Sequence, residues 1–100
     1  MSVVSRAGSI VTVKPGQDLV SSVVPGFKEE MNALLAESPQ ELRLDLSGTA
    51  MMDSIGIGMV IAVHNSMKKR GGKLVIANVS ENIAKLFKSM RLDQHLNLET

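Results

Sequence analysis

The sequence predicts an α/β fold in which helices pack against a mixed β-sheet of four to five strands. Three observations point there. Short β-branched or alternating runs take turns with longer segments whose apolar residues recur about every three to four positions. Gly, Pro and Ser mark nearly every changeover. With 100 residues, 44% of them hydrophobic, the chain fills one core and no second. Residues 1–100 are therefore read as one domain, with no repeat or linker inside it.

The elements follow in order. Ser9-Ile10-Val11-Thr12-Val13 is β-branched and alternates, and Val3-Val4 ahead of Ala7-Gly8 suits the first arm of a hairpin with it. Lys14-Pro15-Gly16-Gln17-Asp18 is turn chemistry. A helix is expected from Ser21 or Ser22 as cap, with Pro25 in its first turn. Phe27, Met31, Leu34 and Leu35 form its apolar stripe, and Ser38-Pro39 ends it. Glu41 to Ser47 alternates strictly, with Leu42, Leu44 and Leu46 on one face of a strand.

The second helix is predicted over Ser54–Lys69. Met59, Val60, Val63 and Met67 form its main stripe, and Ile57, Ile61 and His64 a second. Apolar nearly all round, it should be more buried than the first helix or partly covered by a partner. Gly71-Gly72 closes it after three cations. Lys73 to Val79 reads as a buried strand. Ser80 caps a third helix with stripe Ile83, Leu86, Phe87 and Met90. Leu96-Asn97-Leu98 suits a short edge strand.

Composition excludes several function classes. Two Phe are the only aromatics, so stacking platforms for single-stranded nucleic acid are missing. A net charge of +1 gives no footprint for a polyanion, and nucleic acid is not an expected partner. Zero cysteines remove disulfides, thiol nucleophiles and cysteine metal sites, and no metal or cofactor is expected. The longest apolar stretch, Ile55 to Val63, is about half a membrane span. With no signal-peptide layout at the N-terminus either, a cytoplasmic location without membrane insertion is expected.

The informative segment runs from Leu44 to Gly58 (LDLSGTAMMDSIGIG): strand, short loop, helix. Sites in α/β sheets gather at such carboxyl ends. Asp53 or Ser54 caps the helix, and Gly56 and Gly58 allow close packing; from the residues alone, that structural role suffices. Catalytic patterns fail one by one. A dinucleotide fingerprint needs a glycine where Ile61 stands. The single Gly-Lys pair, Gly72-Lys73, is followed by Leu74, so no phosphate-binding Gly-Lys-Ser/Thr exists. Met52 and Asp53 precede Ser54, which breaks the nucleophile elbow. His64 lies roughly 15 Å along the helix from Ser54 at 1.5 Å per residue, too far for a Ser–His pair. A phospho-acceptor reading of Asp45 lacks the paired acids that would hold magnesium, since the first acid, Asp18, stands alone. The chain is not expected to be an enzyme.

Met52-Asp53-Ser54-Ile55-Gly56-Ile57-Gly58 resembles the Asp-Ser-x-Gly-Leu-Gly signature of STAS domains, above all the bacterial anti-sigma factor antagonists. The Gly16-Gln17-Asp18-Leu19 turn, the Leu-Arg-Leu-Asp-Leu-Ser strand, Gly71-Gly72-Lys73-Leu74 and the Leu86-Phe87 to Leu92 segment extend the likeness along the chain. The resemblance implies a STAS-type sheet and a partner switch. In such a switch the unphosphorylated antagonist binds an anti-sigma factor with GHKL-type serine kinase activity and frees that factor's target. Phosphorylation of one serine, here Ser54, dissolves the complex, and a PP2C-type phosphatase resets it. Asp53 would orient the loop or the hydroxyl.

The contact surface implied is the Asp18–Ser22 turn with Ser21 and Ser22, the Thr49–Ser54 loop with Met52, and the exposed side of the following helix around Ile57, Ile61 and His64. The free protein is expected to be monomeric. The alternative within the family is a subunit or regulator of a lipid-transport ABC system, or a signalling scaffold, without phosphorylation. Two positions depart from the family pattern: Ile57 replaces the usual Leu, and Arg91 stands where the turn after the last helix often has Gly.

Overall fold

A computed structural model, which describes residues 2–99, turns the alternating runs into one five-stranded sheet. Its elements are β1 (Val3–Ala7), β2 (Ile10–Lys14), α1 (Val24–Leu35), β3 (Glu41–Asp45), α2 (Ser54–Lys69), β4 (Lys73–Ala77), α3 (Glu81–Ser89), a 3₁₀ turn at Leu92–Gln94 and β5 (Asn97–Glu99). The strands lie side by side in chain order. β1 and β2 form an antiparallel hairpin, and β2 through β5 run parallel.

That order makes the molecule one-sided. Each crossover from β2 onward advances one strand in the same direction, so connections of one hand all fall on one face. The side chains agree. Val4, Val13, Leu44, Ile76 and Leu98 stand in one row across all five strands. They pack in or against a core that also takes Phe27 and Met31 from α1, Val60 and Met67 from α2, and Ile83 and Phe87 from α3. The opposite face carries the sheet's charged groups around a few apolar residues, among them Val75 and Ala77. Arg43 bridges Glu41 at 2.9 Å and also pairs with Glu99, and Lys73 reaches Glu41 at 3.5 Å. The hydrogen bond from Arg43 holds the Glu41 carboxyl below its ordinary range despite an opposing desolvation.

Several expectations change. Neither Ser21 nor Ser22 caps α1. Its N-cap is Val23, without a side-chain bond, because Val20 to Val23 first form a turn in which the Val23 and Val24 N–H groups donate to the Val20 carbonyl. β3 ends at Asp45, although Leu46 keeps its inward position. α2 spans Ser54–Lys69 as predicted, but one of its sides remains open, with Ile55, Gly58, Ala62 and Asn65 exposed. Met90 leaves the α3 stripe: the helix ends at Ser89 and the Met90 side chain is 48% exposed. Arg91 adopts the left-handed conformation that glycine favours (φ 60°), so the turn keeps its geometry at some strain. Among the described residues, no helix is long and apolar enough to cross a membrane.

Candidate functional site

At the carboxyl ends of β2 and β3, two loops are stitched together by backbone and by two aspartates. The Leu19 N–H donates to the Met51 carbonyl at 3.1 Å, and the Asp53 N–H to the Leu19 carbonyl at 3.3 Å. These bonds make a short parallel bridge between Leu19 and Met52 beyond the end of the strands. Asp18 in the first loop accepts the Ala50 and Met51 N–H groups on Oδ1, at 2.9 and 3.1 Å. Asp53 in the second loop accepts the Ser21 N–H on Oδ2 at 2.7 Å and the Gly56 N–H on Oδ1 at 2.9 Å. Each loop thus supplies a carboxylate that satisfies the other loop's backbone.

Thr49, a buried polar residue, adds a further tie: its hydroxyl donates to the Gln17 carbonyl at 2.8 Å. A buried hydroxyl with a partner avoids the cost of an unsatisfied one. Gly56 brings α2 against the first loop so closely that a Cβ there would lie 2.1 Å from the Leu19 carbonyl oxygen. Gly58 differs, because a Cβ on it would meet nothing within 4 Å. The expectation that both glycines serve close packing holds for Gly56 only.

Asp53, rather than Ser54, is the N-cap of α2. The Gly56 N–H and then the Ser21 N–H hold its carboxyl below the usual aspartate range. With one oxygen on each donor, Asp53 orients the loop. Ser54 follows as the first helical residue, exposed, with its hydroxyl outside every bond of the stitch. A group added there meets the positive end of a 16-residue helix.

The structure brings Asp18, Ser21, Thr49, Asp53, Ser54 and Gly56 together and sorts the remaining positions differently. Ile57 and Met52 are buried, at 4% and 7% exposure, so in this state they shape the loop from beneath instead of forming its surface, as does Thr49. Ser22 is exposed and Ile61 and His64 are half-buried. The His64 Nδ1 atom is enclosed without a hydrogen-bond partner. Periodicity missed the residues that do stand out beside Ser54: Met51 is 62% and Ile55 is 53% exposed. Among the described residues, no three His, Asp or Glu side chains gather as a metal-ion site.

Residues 2–100 match the sequence profile of the STAS domain. The anti-sigma-B factor antagonist of Bacillus subtilis (strain 168) is 40% identical over 53 residues, which are 53% of this chain and 49% of that protein. The match thus spans about half the length of that relative. A crystal structure of a candidate anti-sigma factor antagonist from Thermotoga maritima superposes with a TM-score of 0.93 at 19% identity, covering 99% of this chain and 86% of that one. The antagonist SpoIIAA superposes at 0.77 in its unphosphorylated form and, in the Bacillus phosphorylated form, at 0.76. Identities are 15% and 16%, over the whole of this chain and 88% and 92% of those. At such identities the structures establish a shared fold.

Proposed function

The chain belongs to the STAS domain family, and from that premise we propose that it is an anti-sigma factor antagonist working as a phosphorylation-controlled partner switch. The unphosphorylated form binds an anti-sigma factor with GHKL-type serine kinase activity in the cytoplasm and releases that factor's target. Phosphorylation of Ser54 ends the binding, and a PP2C-type phosphatase restores it. The chain itself performs no catalysis in this scheme. The observation that carries the reading is Ser54 itself, an exposed and uncommitted hydroxyl at the start of α2, where two loops are hydrogen-bonded to each other.

Electrostatics make such a switch reversible without refolding. Phosphorylation adds about −1.5 to −2 charges at neutral pH. At the first residue of α2 that charge faces the helix N-terminus, a favourable interaction of roughly 0.3–1 kcal/mol. No bond of the stitch uses the Ser54 hydroxyl, so none must break. A docked partner meets the same phosphate as bulk and as a charge that docking must strip of water, and that cost falls on the complex.

Incubation with ATP and the anti-sigma factor kinases of the same genome, followed by mass spectrometry, should place phosphate on Ser54. Ser54→Asp should abolish or strongly weaken binding while leaving stability within about 1 kcal/mol of wild type. Ser54→Ala should keep the binding-competent state permanently. A Ser54→Asp protein that binds as tightly as wild type would overturn the switch.

A further inference from the structure

The chain has no cysteine, tryptophan or tyrosine but seven methionines, so thioethers are the first groups a peroxide can oxidise. Six of the seven lie within the described residues. Met31, Met52, Met59 and Met67 are buried in the core, whereas Met51 and Met90 are exposed, Met51 the more so. Met90 follows the carboxyl end of α3, and Met51 stands three residues before Ser54.

Met51 is exposed for a structural reason. Its N–H donates to Asp18 and its carbonyl accepts the Leu19 N–H, both at 3.1 Å. The backbone is thus pinned at both polar groups. Neighbouring residues of an extended segment point to opposite sides, so the burial of Met52 in the bridge with Leu19 turns Met51 outward. The stitch that leaves the Ser54 hydroxyl uncommitted also presents the Met51 thioether beside it.

We infer that Met51 is a site of reversible oxidation by hydrogen peroxide, and that its sulfoxide weakens partner binding as a second input at the Ser54 surface. The consequence for binding rests on the partner-switch reading; the oxidation does not. One peroxide oxygen adds to the thioether sulfur: the O–O bond breaks, an S–O bond forms, and sulfur gives up two electrons. The other oxygen leaves as water with both protons. A flexible apolar side chain becomes a polar one, and methionine sulfoxide reductases reverse the change.

Phosphoryl transfer requires the donor phosphorus within about 3–3.5 Å of the serine oxygen, so a kinase closes over the residues around Ser54. Burying an unmatched sulfoxide oxygen there carries a desolvation cost that a thioether does not. In the free protein the sulfoxide stays in water and the fold is untouched. Oxidation of Met52 or Met59 would instead put a polar group in the core.

The test treats wild type, Met51→Leu and Met90→Leu with hydrogen peroxide, maps sulfoxide over time by mass spectrometry and follows thermal unfolding. Affinity for the anti-sigma factor kinase encoded in the same genome is measured before and after, each protein against its own untreated sample. Met51 and Met90 should oxidise well before the four buried methionines, with the unfolding midpoint unchanged. Wild type and Met90→Leu should then bind roughly fivefold or more weakly, and methionine sulfoxide reductase should restore them. Met51→Leu should lose nothing on treatment.

A Met51 that oxidises no faster than Met52 or Met59 overturns the inference, as does an unfolding midpoint that falls while Met51 sulfoxide accumulates. Met51 sulfoxide that binds like untreated wild type overturns it and leaves the partner switch standing. A loss that persists in Met51→Leu assigns the effect to another residue and overturns it as well. An untreated wild type that no such kinase binds overturns the switch itself, and the second input with it.

Discussion

The starts of α2 and α3 solve the same local problem with different reach. Ser80 caps α3 by accepting the Ile83 N–H at 3.2 Å, and Asp53 caps α2 by accepting the Gly56 N–H at 2.9 Å, each three residues downstream. Ser80 has one side-chain oxygen and spends it locally. Asp53 has two, and the second reaches Ser21, 32 positions earlier in the chain. The start of α3 is secondary structure; the start of α2 is also tertiary structure. The serine of each helix start fares differently as a result. At α3 its hydroxyl is the cap, whereas at α2 an aspartate caps and the serine beside it stays free.

If that contrast is correct, the largest effect belongs to Gly56. Gly56→Ala places a methyl group against a backbone oxygen that no rotamer can move, and should cost about 3 kcal/mol or more. A urea midpoint within error of wild type, at unchanged slope, would show that the loops are not held in contact. Next comes Asp53→Ala, expected to lose about 2 kcal/mol, the upper range for a cap, because a bond between loops goes with it. Ser80→Ala should lose about 1 kcal/mol. Equal losses would erase the distinction between the two starts.

Acid sharpens the same comparison. The lowered Asp53 pKa contributes stability that is complete above the ordinary aspartate value of 3.8 and disappears as pH falls through the lower folded value. Asp53→Asn should flatten the acid side of the stability profile, and Ser80→Ala should not. The smallest effect has the opposite sign: Gly58→Ala, in open space on the exposed side of α2, should gain about 0.5–1 kcal/mol and raise Tm.

Much of this was legible in the residues. Alternation at Leu42, Leu44 and Leu46 reads directly as a strand with one buried face, and the stripes of α1 and α2 read as helices. What pattern cannot supply is which flank of a helix has a neighbour. Ile55 and Ile57 lie one residue to either side of Gly56, each about 100° from it around the helix axis. Both flanks are apolar in sequence, yet Ile57 is 4% and Ile55 53% exposed. The spacing of Ile57 with Ile61 and His64 does not reveal that Ile57 lies beneath the loop while Met51 and Ile55 are exposed beside Ser54. The stitch was hidden for another reason. Asp18 and Asp53 are ordinary turn and cap residues locally, and only the parallel pairing of β2 with β3 brings them together.

The reciprocal aspartates have a consequence for the proposed phosphorylation of Ser54. A short synthetic peptide from Thr49 to Gly58 would carry the same letters, but Asp18, Gln17, Leu19 and Ser21, which set the shape of this loop, come from another part of the chain. Such a peptide should be a poor substrate and a poor competitor. On the proposed switch, selectivity would be read from a folded surface and could not be scanned for as a linear consensus or transplanted by grafting a loop. It travels only with the sheet that holds both loops.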